Sequence, residues 1–103
     1  MSVAVAEIVL RDGRLHMARE VHERVLFACE NVALLARGDG WLLMPLRAGA
    51  GGLQVKLRNA RGDRVVESQE FFRNQGIDDS AEPRRLLLVD VPGEAAFAMR
   101  FDP

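Results

Sequence analysis

The sequence predicts an α+β domain: a mostly antiparallel sheet built from hairpins, one amphipathic helix over residues 14–30 and one short helix over 68–75. Three observations carry that expectation. The tetrapeptide Ala-Arg-Gly-Asp occurs twice, at Ala36–Asp39 and Ala60–Asp63, each time between apolar runs, which marks two tight reversals. Pro92-Gly93 supplies a further reversal of the type II kind. Between Arg14 and Glu30 there is no Gly, Pro, Ser or Thr, and good helix formers dominate. A nearly all-β sandwich or barrel is the alternative, because Asp12-Gly13 is also a strong two-residue hairpin signal.

Taken in order, Ser2–Leu10 supplies Val3, Val5, Ile8, Val9 and Leu10 and suits a largely buried strand. On a helical wheel for 14–30, Leu15, Met17, Ala18, Val21, Val25, Leu26, Ala28 and Cys29 fall on one side. His16, Arg19, Glu20, Glu23, Arg24 and Glu30 fall on the other, and Phe27 lands among them as the misfit. Asn31 suits a helix end, because it tolerates the left-handed conformation. Val32–Ala36 and Trp41–Leu46 then make a hairpin around Arg37–Gly40, with Pro45 confined to an edge or a bulge.

Ala48–Gly52 reads as a flexible connector, and Leu53–Arg58 alternates with Leu53, Val55 and Leu57 inward. A turn at Asn59–Asp63 leads to Arg64–Glu67. Ser68 is placed to cap a short helix that Gly76 stops. Phe71 and Phe72 are neighbours in it, so only one can point squarely into the core. Residues 77–83 form a polar, acidic loop before the last hairpin, Arg85–Val91 with Ala95–Phe101.

The 103 residues make one domain, and a 49% hydrophobic fraction suffices for one core without a metal or disulfide staple. A single cysteine and no signal-like or membrane-length apolar run lead us to expect a soluble, cytoplasmic protein. Of the 14 basic residues all but Lys56 are arginine, a bias that codon usage in a GC-rich bacterial genome explains. A net charge of −1 argues against nucleic-acid binding. The local basic group Lys56, Arg58, Arg61 and Arg64 reads first as a solvated hairpin tip.

No arrangement of residues spells out catalysis. Ser2, Ser68 and Ser80 have no base placed beside them by any local motif, and Ala48–Gly52 lacks the lysine and helix of a phosphate loop. The Arg-Gly-Asp triplets are read as turn chemistry. The acidic sets His16, Glu20, Glu23 and Asp78, Asp79, Glu82 lack metal-site spacing. We therefore expect no cofactor. The leading expectation is a non-enzymatic interaction or assembly domain, self-associating or a small subunit of a larger complex, with Phe27, Trp41 and Phe72 as contact residues. The second is a small-molecule-binding or regulatory domain whose pocket, between helix 14–30 and the sheet, is lined by His22 and Cys29.

Overall fold

In the computed structural model, residues 3–78 and 82–103 are described, and they form a closed antiparallel barrel of eight strands in the order β1-β2-β6-β5-β3-β4-β8-β7. The strands are β1 (Ala4–Arg11), β2 (Arg14–Met17), β3 (Asn31–Arg37), β4 (Gly40–Leu46), β5 (Leu53–Leu57), β6 (Arg64–Glu67), β7 (Arg84–Asp90) and β8 (Phe97–Phe101). Among the described residues, helical structure is confined to residues 19–25, which end in the π-helical turn Val21–Val25, and to one short helix, α1 (Gln69–Asn74). The α+β expectation is therefore wrong, and the all-β barrel is the architecture.

The error lies in residues 14–30. Asp12 (φ 53°) and Gly13 (φ 74°) both adopt the left-handed backbone of a two-residue hairpin turn, joining β1 to β2. Leu15 and Met17 then point into the core by strand alternation, a spacing of two that the helical wheel also accommodates. What decides the matter is pairing: Leu15 lies opposite Leu10 of β1 and Val66 of β6, so this short segment is ladder-bonded on both sides. Within 14–30 only residues 19–25 keep helical backbone, the last five as the π-helical turn, and Asn31 opens β3 instead of ending a helix.

The other reversals follow their turn residues. β3 and β4 pair from Asn31↔Leu46 to Arg37↔Gly40 around Gly38-Asp39. Pro45 sits opposite Val32, where no donor toward β3 is needed, and its other side lies past the end of the β4–β8 pairing at Leu43↔Phe97. At Pro92-Gly93 the Glu94 N–H donates to the Val91 carbonyl at 3.1 Å and Gly93 has φ 79°, the geometry of a type II turn. β1 and β7 close the barrel, paired from Ala4↔Val89 to Leu10↔Arg84 with one irregularity near Ala4 and Ala6.

The second Ala-Arg-Gly-Asp is a tied turn. The Asn59 side-chain oxygen accepts from Arg61 N–H at 3.0 Å and Asp63 N–H at 3.2 Å, and the Asp63 carboxylate accepts from Arg19 N–H at 3.1 Å. Gly62 has φ 95°, and a Cβ there would stand 2.8 Å from the Arg19 side chain. The bonds from the Asn59 amide and from Arg19 N–H hold the Asp63 carboxyl below the usual carboxylate range.

The core inside the barrel is made of Ile8, Leu10, Leu15, Met17, Leu26, Val32, Leu43, Val55, Val66, Leu86, Leu88 and Met99. α1 plugs one side with Phe72, which is fully buried and meets Trp41 edge-to-face at 5.4 Å and Phe71 at 5.2 Å. Ser68 does not cap α1. It is buried, and its hydroxyl donates to the Gly13 carbonyl at 2.7 Å, tying the start of α1 to the β1–β2 turn.

Candidate functional site

After the π-helical turn, Phe27 (φ 53°) and Ala28 (φ 54°) both sit in the left-handed region, which L-residues enter at a cost of roughly 1–2 kcal/mol each. Two such non-glycine residues in succession persist only where neighbours fix them. Here His22 does so. Its backbone carbonyl accepts from Ala28 N–H at 2.8 Å, and its Nε2–H donates to the Cys29 carbonyl at 2.7 Å. The residue is 5% exposed, and its Nδ1 has no partner among the described residues. His22 is thus a buried staple across the 22–29 loop.

The consequence of this staple is the position of Phe27. The side chain is 80% exposed, the largest exposure of any large apolar residue described. It stands between two adjoining hollows. One, of about 350 Å³, is lined by Phe27, Pro45, Asp90, Glu94, Ala95, Ala96 and Phe97. The other, of about 410 Å³, runs along Leu26, Ala28, Cys29, Pro45 and Leu46. The Glu94 carboxylate at the rim is held by Arg37 through paired bonds of 2.8 and 2.9 Å. The remaining wall beside Phe27 is chiefly apolar.

The other residues singled out by sequence fall elsewhere. Trp41 is half-buried, wedged edge-to-face between Phe72 and Phe101 at 5.4 Å from each, and its Nε1–H donates to Gln75 at 3.2 Å. Phe72 is core. Of the expected contact trio, Phe27 alone stands out in solvent. The expected pocket against helix 14–30 has no helix to form it: His22 points inward, while Cys29 lines the second hollow beside Phe27. Burial pushes the Cys29 thiol above its ordinary range.

Glu20 and Glu23 are engaged by Arg24 at 2.7 Å and Arg19 at 2.8 Å, and His16 lies apart from them on β2. There, burial first, then the charges of Arg11, Arg58 and Arg14, lower its pKa. Among the described residues no group of three His, Cys, Asp or Glu is placed to hold a metal. Ser2, Asp79 and Ser80 lie outside the described residues. No described helix is long and apolar enough to cross a membrane.

A second concavity went unread in the sequence. It is a groove of about 520 Å³ between β3 and α1, lined by Val32, Ala33, Leu34, Gly52, Leu53, Glu67, Ser68, Glu70, Phe71 and Asn74. Its origin is a gap in pairing: β3 pairs with β4 along its full length but with β5 only at Asn31↔Gln54 and Val32↔Leu53. The chain turns away at Gly52, where a Cβ would lie 2.6 Å from the Val32 carbonyl. The glycine-rich connector at 48–52 is the one sequence feature that hints at it.

Comparison of the chain with family models, with curated proteins and with solved structures finds no match, so the functional reading stands on these residues.

Proposed function

We propose that this barrel is a non-enzymatic assembly domain that self-associates through Phe27. The observation that carries the reading is a large aromatic side chain held in solvent by a strained, His22-stapled turn. Exposed apolar side chains grouped with an adjoining hollow mark contact surfaces, and aromatics are favoured anchors in them. Knob and hollow lie on the same patch: Phe27 projects beside the cavity walled by Pro45, Ala95, Ala96 and Phe97. A patch that carries both is self-complementary. Two copies related by a two-fold axis each place Phe27 in the other's hollow, which is the isologous contact of a closed dimer. Sedimentation equilibrium tests this: the wild-type chain dimerises with rising concentration, and Phe27→Ser stays monomeric with its fold intact. A wild-type chain that is monomeric at millimolar concentration contradicts it.

A second reading, a ligand-binding or regulatory module, has its own support in the β3–α1 groove. The groove lies within the roughly 300–1,000 Å³ range of ligand sites and mixes apolar walls with a few polar groups. In this form the pocket sits against α1 and not against residues 14–30.

A further inference from the structure

From the backbone of β3 we infer that the β3–α1 groove binds an extended, basic segment of a partner polypeptide, which adds to the sheet in the slot that β5 leaves open. This rests on the second reading above, that the groove takes a ligand, and is independent of association through Phe27.

In an antiparallel pair, alternate residues turn their N–H and C=O toward the neighbour or away from it. Pro45 has no N–H, so Val32, opposite it, is a position that turns away from β4. Glu30 agrees in parity: its carbonyl accepts from Val55 N–H of β5 at 2.8 Å. Residues 30, 32, 34 and 36 therefore present their backbone groups to the β5 side. β5 meets only the first two of these. Leu34 and Ala36 are left facing the groove side, and no described backbone or side-chain group bonds them there.

A free edge of this kind is a template for strand addition. The unpaired stretch, Ala33–Arg37, spans roughly 16 Å at strand rise, enough for a short extended segment. The opposite wall is α1, which offers the half-buried Phe71 and the exposed Asn74. Alternate side chains of the added strand meet the apolar floor of Leu34, Leu53 and Phe71, and the intervening ones meet the rim.

Charge selects the occupant. Among the described residues, the ionisable groups lining the groove are both carboxylates, Glu67 and Glu70. Glu67 is already engaged by the Arg14 Nε at 2.9 Å to both oxygens. Glu70 makes no ion pair with any described residue and is exposed. A Lys or Arg side chain on the added strand supplies its counter-charge, and an acidic one is repelled.

Amide NMR and hydrogen exchange on the full chain, titrated with a capped Val-Lys-Val-Lys-Val peptide, test the assignment. We expect the Leu34 and Ala36 amides to exchange rapidly in the free protein and to become protected by the peptide, with shifts at Phe71. The Val-Glu-Val-Glu-Val counterpart is expected to bind about tenfold more weakly or worse, a difference of ~1.4 kcal/mol. Glu70→Lys, an exposed substitution that leaves the core untouched, is expected to reverse that order. A peptide N-methylated on the edge-facing amides is expected to lose binding. Equal binding of the N-methylated peptide would show an apolar cleft and no strand addition, and equal binding of the acidic peptide would remove the charge argument. Protection of Leu34 and Ala36 that rises with protein concentration without peptide, and persists in Phe27→Ser, would make the occupant a second copy and overturn the assignment. An absence of any perturbation at these amides with intact Phe27-dependent dimerisation would sink this inference alone.

Discussion

Phe27 and Phe72 occupy equivalent situations in the chain and opposite ones in space. Each is carried by a short helical excursion between strands, one after the π-helical turn and one within α1. Phe72 is 0% exposed and packs on Trp41 and Phe71, whereas Phe27 is 80% exposed and packs on little. The difference is backbone conformation. α1 is regular and turns its aromatic face to the barrel, while the Phe27-Ala28 pair is held left-handed and turns its aromatic ring away. The same residue type thus serves stability in one place and, if the proposed dimer forms, contact in the other.

Substitutions can break this contrast, beginning with the largest effect. Phe72→Ala is expected to lower stability by about 3–5 kcal/mol in urea denaturation, from lost burial plus the cavity beside Trp41. A loss below about 1 kcal/mol would mean that α1 is not integral to the core. His22→Ala removes the staple and a buried ring, and about 2 kcal/mol of stability is expected to go with it. The sharper readout is dimerisation, which should weaken in His22→Ala even under conditions where the barrel remains folded. Unchanged dimerisation would show that the staple does not present Phe27.

A smaller effect is expected from His16. Its folded-state pKa lies below the ordinary value of 6.5, so the native state favours the neutral ring. The associated stability is present above that ordinary value and is lost as pH falls below it toward the folded-state pKa. Thermal melts across this window should show a decline that His16→Gln reduces. A decline of the same size in His16→Gln would assign it to the carboxylates instead.

How much of the molecule was legible in its sequence follows the same physical division. Local turn chemistry can be read directly at Gly38-Asp39, Asn59–Asp63 and Pro92-Gly93, which reverse the chain where their residues favour it, whereas the hairpin signal of Asp12-Gly13, set second to a helix in the sequence, proves decisive in the fold. Leu15-His16-Met17 could not be assigned by pattern, because two apolar residues spaced by two fit a helix and a strand alike. Long-range pairing to Leu10 and Val66 settled the outcome, and it is invisible in a local window. Phe27 was visible as an apolar residue that the helical pattern could not absorb. The left-handed backbone that exposes it was not, since nothing in Phe-Ala favours positive φ. The β3–α1 groove was not legible either, because a gap in strand pairing is a property of two distant segments, 31–37 and 53–57.

Whether Phe27 is exposed for contact is tested most directly by sedimentation equilibrium of the wild-type chain and Phe27→Ser, with thermal melts of both. We expect a concentration-dependent wild-type dimer and a monomeric variant. The dilute monomers should melt at nearly the same temperature, because an exposed side chain contributes little to the isolated fold. A wild-type chain that remains monomeric, or a variant that dimerises as well as wild type, would contradict the proposed role of Phe27.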